Sequence, residues 1–285
     1  MKTLRECIAE AQTKKVAIGH FNISNSDGFW AVVEAAKALK VPVIIGVSEG
    51  ERDFIGVAQV SAMVKSYRNS TDQEVFLNAD HTYSFDRVKE AVDAGFDAVI
   101  YDGTELSFDE NVEITKKCVK YARSINPDML VEAEIGFIGK SSKLLDKIPE
   151  GAGMMTTPEE AERFVREAGV DMLAPAVGNI HGMIKGGEPA LNIERISEIR
   201  EATKIPLVLH GASGNSNDDI KEAIKAGISI IHINTELRVA YRAGLIESLQ
   251  ENPDEISPYK YLKGGKIAMQ RVVEEKLRLF NNIML

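Results

Sequence analysis

Eight short runs rich in Val, Ile and Leu recur along the chain: 16–22 (VAIGHFN), 41–48 (VPVIIGVS), 74–80 (EVFLNAD), 97–103 (DAVIYDG), 129–136 (MLVEAEIG), 171–178 (DMLAPAVG), 206–211 (PLVLHG) and 228–236 (ISIIHINTE). Runs that are apolar at nearly every position, rather than at alternate ones, predict strands covered on both faces, as in a parallel sheet. Between them, amphipathic stretches at 26–40, 85–95, 108–125, 157–169 and 216–227 predict helices. Ser84, Ser107 and Thr157 stand near helix starts, where a side-chain oxygen can cap the first N–H groups, and Gly95, Gly169 and Gly227 follow the last turns. Eight strand–helix alternations with short links predict an α/β fold, a (β/α)8 TIM barrel, with a doubly wound open sheet as the alternative.

A single unit over 1–285 is expected, because no linker, low-complexity tract or further repeat interrupts the alternation. The segment 137–156 (FIGKSSKLLDKIPEGAGMMT) has neither strand nor helix period. Its place after the fifth strand sets it over the carboxyl end of a barrel, as a mobile lid. A helical tail is expected over 257–285.

Composition narrows the function classes. The 285 residues carry a net charge of −9 and are 44% hydrophobic, ample for a core. No cluster of Lys and Arg interleaved with aromatics is present, so the electrostatic footprint of a nucleic-acid binder is missing. Cys7 and Cys118 sit alone in helical patterns, without CxxC spacing, which suits a reducing cytoplasm. The opening stretch MKTLRECIAEAQTKK lacks an apolar targeting segment, and no later run reaches membrane-spanning length. A soluble cytoplasmic protein without membrane or nucleic-acid partners is expected.

The candidate chemistry lies at the ends of the apolar runs. His81 in LNADHT, His181 in VGNIHG and His210 in LVLHGASG take three of only five histidines in the chain. Imidazoles delivered by three different strand ends suit a Zn2+ site with one open coordination position, the arrangement of a catalytic metal. Asp80 precedes His81, and alternation predicts that one of the pair faces the barrel interior while the other turns to the loop. A carboxylate beside a metal ligand can shuttle a proton; the alternative role is a helix cap or an orienter of a histidine ring. Asp102 and Glu132, at the ends of the fourth and fifth strands, are expected at the same mouth, where either could be an alternate metal ligand; the alternative role for each is structural. HGASG (210–214) offers small residues that let backbone N–H groups close on an anion, and Thr235 begins a helix after the eighth strand. Both lie where barrels of this type hold phosphate groups.

These residues resemble the class II, zinc-dependent ketose-bisphosphate aldolases, which include fructose-bisphosphate and tagatose-bisphosphate aldolases. The resemblance runs end to end through GHFNISN (19–25), IIGVSEG (44–50), NADHT (78–82), YDGTELSFDENV (101–112), VEAEIGFIG (131–139), GNIHG (178–182), LHGASG (209–214) and INTELR (233–238). It implies that His81, His181 and His210 hold zinc and that Asp102 and Glu132 belong to the metal or to its alternative position. It implies that Asp80 donates the proton to the aldehyde oxygen. Dihydroxyacetone phosphate would be bound at Gly178, Gly182, Gly211, Ala212, Ser213, His232, Ile233, Asn234 and Thr235, with a monovalent cation, Na+ or K+, nearby. Relatives of this kind are homodimers or homotetramers.

The chain also departs from the family. GKSSKLL (139–145) replaces a Gly-Gly and acidic lid sequence, leaving the base for the C–H proton open among Asp146, Glu150, a metal-bound water or another group. His232 stands for an Asn, Asn78 for a His, and Tyr259 for an Arg of the tail. The expected activity is cleavage of a phosphorylated ketose to dihydroxyacetone phosphate, or a close analogue, and an aldehyde. A non-catalytic metal-binding subunit, and a metal-dependent phosphosugar epimerase or hydrolase, are the alternatives.

Overall fold

The computed structural model describes residues 1–284 except 140–142, 150 and 152. Strands β1 (Ile18–Asn22), β2 (Val43–Val47), β3 (Val75–Thr82), β4 (Ala98–Tyr101), β5 (Leu130–Ile135), β7 (Met172–Pro175), β9 (Leu207–Leu209) and β10 (Ile228–Ile233) close into one parallel barrel. Each lies on one of the eight apolar runs. The last run is shorter as a strand than as a pattern, because Thr235 already begins a helix. The remaining two strands, β6 (Leu144–Leu145) and β8 (Met183–Ile184), form a separate parallel pair, so part of the expected lid is ordered as strand.

Around the barrel run α2 (Ser26–Leu39), α3 (Glu49–Ile55), α4 (Val57–Ser70), α5 (Phe85–Asp93), α6 (Phe108–Ile125), α7 (Pro158–Ala168), α8 (Ile193–Thr203), α9 (Asn217–Ala226) and α10 (Thr235–Glu251). Ser84, Ser107 and Thr157 cap α5, α6 and α7 through their hydroxyls, as their positions predict. In the tail, α11 (Pro258–Tyr261) leads into α12 (Lys263–Phe280), which packs between α2 and α10. Among the described residues no helix is long and apolar enough to cross a membrane.

The strand pattern separates two cores. Outward residues such as Phe21, Ile45, Leu77, Val99, Val131 and Ile231 join the inner faces of the surrounding helices in one apolar layer. Inward residues Ile18, Ile44, Phe76, Ala98, Leu130, Met172, Val208 and Ile230 fill the amino-terminal end of the barrel. Helix α1 (Leu4–Lys14) plugs that end with Leu4, Cys7, Ile8 and Ala11. One inward position further along, the barrel interior changes character: His20, Asn78, Glu132, His210 and His232 are all buried there.

Candidate active site

The polar layer opens at the carboxyl end of the strands into a cavity of about 340 Å³. Asp80, His81, Asp102, His181, Gly182, His210, Gly211, Ser213, His232, Asn234 and Thr235 all line it. All five histidines of the chain converge here, including His20, which the strand-end pattern did not single out. Sequence reasoning also passed over Asn22, Ser48, Glu49, Tyr83 and Arg238 as cavity residues.

His81, His181 and His210 face one another with ring centroids 4.7, 5.0 and 5.6 Å apart. A metal-binding atom from each, and one from the Glu134 carboxylate, lie within 4.8 Å of one another. Each ring is oriented by a partner on its far side. His81 Nδ1 meets Asp102 Oδ2 at 3.0 Å, His181 Nδ1 meets the Gly139 carbonyl at 2.5 Å, and His210 Nε2 meets Glu132 Oε1 at 2.7 Å. The opposite nitrogen of His210, Nδ1, is buried without a hydrogen-bond partner. An orphaned buried nitrogen beside two further imidazoles and a carboxylate is a donor set that suits zinc, so the residues present fit the expected ion.

Two expectations meet a different arrangement here. Glu134, two residues beyond Glu132 on the same face of β5, joins the histidine cluster, whereas Glu132 stands behind His210 and groups with His210 and His232 instead; neither carboxylate lines the cavity. Strand alternation in VEAEIG offered both carboxylates, and only register in the barrel separates them. The second concerns Asp80 and His81, of which one was expected to face the interior; both border the cavity. Gly178, Ala212 and Ile233 do not line it, and the Ile233 side chain lies in the outer apolar layer.

The electrostatics follow from burial and proximity. Burial alone would lower His81, but the carboxylates of Asp80, Asp102 and Glu134 outweigh it and raise it to about 10. Burial would raise Asp80, yet His81 and the neighbouring His232 and His20 hold it well below the usual carboxylate range. Burial pushes Glu132 well above that range, with Asp80 and Glu134 adding to the effect. His181 is lowered to about 4 by burial and by His81, and His210 falls well below its ordinary value for the same kinds of reason. Asp80 is thus ionised, and one of its oxygens is held by a hydrogen bond while the other has no hydrogen-bond partner. Asn22 Nδ2 donates to its Oδ2 at 2.9 Å, and His232 Nδ1 lies 3.4 Å from its Oδ1. His232 itself is stacked against His20, with centroids 3.5 Å apart, and against His210 at 4.1 Å.

The opposite wall is built for close backbone approach. At Gly211, with φ 60°, a Cβ would lie 2.4 Å from the Ile180 carbonyl oxygen, so only glycine lets the His181 loop pack against the end of β9. Ser213, Asn234 and Thr235 complete this wall at the start of α10. Asn234 and Thr235, at the start of α10, line the cavity, and Asn234 makes no side-chain capping bond there, so the positive end of the helix borders the cavity. Tyr259 is 78% exposed and lines no part of it. Asp146 is 84% exposed and ion-paired with Lys185, while Glu150 and Lys140 lie outside the described residues.

Comparison with known proteins agrees with this geometry. The family model described as "Fructose-bisphosphate aldolase class-II" matches residues 2–283. A fructose-bisphosphate aldolase of Geobacillus stearothermophilus is 38% identical over 98% of this chain and 96% of its own. A probable fructose-bisphosphate aldolase of Bacillus subtilis is 37% identical over 98% and 97%. Among solved structures, the YdjI aldolase of Escherichia coli K12 superposes with a TM-score of 0.83 at 33% identity, covering 97% of this chain and 96% of that one. A fructose-bisphosphate aldolase of Campylobacter jejuni, at 22% identity and a TM-score of 0.84, shares the fold. A whole-length family match on a closed parallel barrel, with the histidine cluster at its mouth, identifies an aldehyde-lyase: the chain belongs to the class II fructose-bisphosphate aldolase family.

Proposed function

We propose that the chain reversibly cleaves a phosphorylated ketose into dihydroxyacetone phosphate, or a close analogue, and an aldehyde, with one zinc ion held by His81, His181 and His210. The observation that carries this reading is the convergence of three anchored imidazoles beside an ionised carboxylate that Asn22 holds by a hydrogen bond. When bound, zinc supplies a Lewis acid for the carbonyl and hydroxyl oxygens of the donor half, and so stabilises the negative charge left when the carbon–carbon bond breaks. Glu134 is a fourth candidate ligand, and Asp102 and Glu132 fix the His81 and His210 rings.

Asp80 accepts the proton of the hydroxyl beyond the scissile bond in cleavage and returns it to the aldehyde oxygen in condensation. Asn22 holds one of its oxygens by a hydrogen bond, and the His232 ring lies beside the other. Backbone N–H groups at Gly182, Gly211 and Ser213, the start of α10 and the Thr235 hydroxyl hold the phosphate. The family adds a Na+ or K+ ion beside that phosphate. It also adds a homodimer or homotetramer, for which α10 presents exposed Val239, Ile246 and Leu249, and a cytoplasmic location. Asp146, exposed and paired with Lys185, is withdrawn as the base for the C–H proton.

The test is exchange of the hydroxymethyl hydrogen of dihydroxyacetone phosphate with solvent. Exchange that chelator abolishes and zinc restores is expected. No exchange under any metal condition would leave the non-catalytic subunit as the better reading.

A further inference from the structure

Neighbouring residues of a β-strand point to opposite faces, yet Asp80 and His81 both border the cavity. The backbone of β3 achieves this with a bulge. His81 sits in the left-handed region at φ 43°, and the pairing of β3 with β4 shifts register between Ala79 and Thr82. A residue with a Cβ keeps that conformation only where its surroundings over-determine it.

Arg52 stands directly behind the bulge, on α3, and is 1% exposed. Its Nη1 donates to the Val47 carbonyl at 2.7 Å and to the Asp80 carbonyl at 3.2 Å, and its Nη2 donates to Thr82 Oγ1 at 3.1 Å. The guanidinium therefore ties the end of β2 to the residues on either side of His81. The nearest carboxylate contact is Glu49 at 4.0 Å, so the cation is buried mainly against backbone oxygens. Burying a charge without a close counter-ion is unfavourable, and an apolar side chain would fill the space without that cost. What an apolar residue cannot do is hold three acceptors on two strands. A planar fork of fixed N–H donors can, and a lysine ammonium cannot reproduce its geometry.

We propose that Arg52 is a positioning residue, whose guanidinium fastens the β3 bulge and thereby turns Asp80 and His81 into the cavity together. Its acceptor is the carbonyl of Asp80, which leaves the carboxylate for the cavity. The inference rests on the reading of His81 as a metal ligand and of Asp80 as the proton acceptor.

The variants Arg52→Lys and Arg52→Met, assayed well below their melting temperatures, test it. Co2+ titration is expected to show at least about tenfold weaker binding than in the wild type, with an altered visible spectrum. The rate of carbon–carbon cleavage should fall about tenfold or more in kcat, with KM little changed, since the phosphate wall is untouched. A purely structural role would lower only the melting temperature. Wild-type Co2+ affinity, spectrum and kcat in either folded variant would overturn the proposal. If the Met variant does not fold, the Lys variant decides, because it keeps the charge and loses the fork. Failure of the wild type itself to bind Co2+ would sink the metal reading and this inference with it, whereas wild-type behaviour in either folded variant would sink the inference alone.

Discussion

The two ends of the barrel interior are made by the same eight strands, and they could hardly differ more. At the amino-terminal end the inward residues are Ile18, Phe76, Leu130, Val208 and Ile230, sealed by α1. Two residues further along the same strands stand His20, Asn78, Glu132, His210 and His232, equally buried. Burial of the first set stabilises the fold through the hydrophobic effect, on the order of 2 kcal/mol per large side chain. Burial of the second set works against stability, because each polar group must be desolvated and then partnered. The partnering is partial: Asn78 meets His20, Glu132 meets His210, and a chain runs from Arg238 through Glu51 and Asn22 to Asp80, while each of the five inward residues keeps one buried atom without a hydrogen-bond partner. The barrel thus separates a half that provides stability from a half that spends some of it on chemistry.

The largest expected effect comes from the upper half. His81→Ala, His181→Ala and His210→Ala should each lose bound zinc and cleavage activity together while circular dichroism stays native, because two nitrogens make a poor site. Near-stoichiometric zinc retained in two of the three would break the assignment. Asp80→Asn should lower the cleavage rate by about 10²–10⁴-fold with zinc content unchanged. Loss of zinc in that variant would instead make Asp80 part of the metal support.

A smaller effect concerns the distal end of the substrate. Apart from histidines, Lys143 and Arg238 are the cationic side chains that line the cavity among the described residues. Arg238 is already paired with Glu51 at 2.7 Å, and Tyr259 is turned to solvent. A second phosphate therefore meets little uncommitted charge. We expect kcat/KM for fructose 1,6-bisphosphate to lie tenfold to about a hundredfold below that for a ketose 1-phosphate, the size of one lost charge-assisted contact. The reverse order would show that Lys143, or groups outside this chain, supply the contact.

The smallest effect on catalysis belongs to the lower half, where Phe76→Ala should cost about 3–5 kcal/mol of stability. Measured by denaturant unfolding, that loss should be accompanied by a wild-type kcat for the folded fraction at low temperature. A comparable drop in kcat would show that the two halves are not separable.

The strands were legible because a parallel barrel buries both faces of each one, and a continuous apolar run is hard to produce otherwise. The three clustered histidines were legible from their shared place at strand ends. The rest of the polar layer was not, since His20 and Asn78 sit inside apolar runs and face inward only by the parity of their strand positions. Parity also hid the difference between Glu132 and Glu134, which lie on one face and differ only in depth. Arg52 was hidden for another reason: a charged residue in a helix such as GERDF reads as solvent-facing, and its burial depends on contacts with β2 and β3 that no local pattern encodes.

The most direct test of the account is a zinc titration of chelator-treated protein with release of dihydroxyacetone phosphate from a ketose 1-phosphate as the readout. Activity should rise from background in proportion to added zinc and level off at one ion per chain. Undiminished cleavage by the metal-free protein would contradict the claim that the three histidines hold the ion on which the reaction depends.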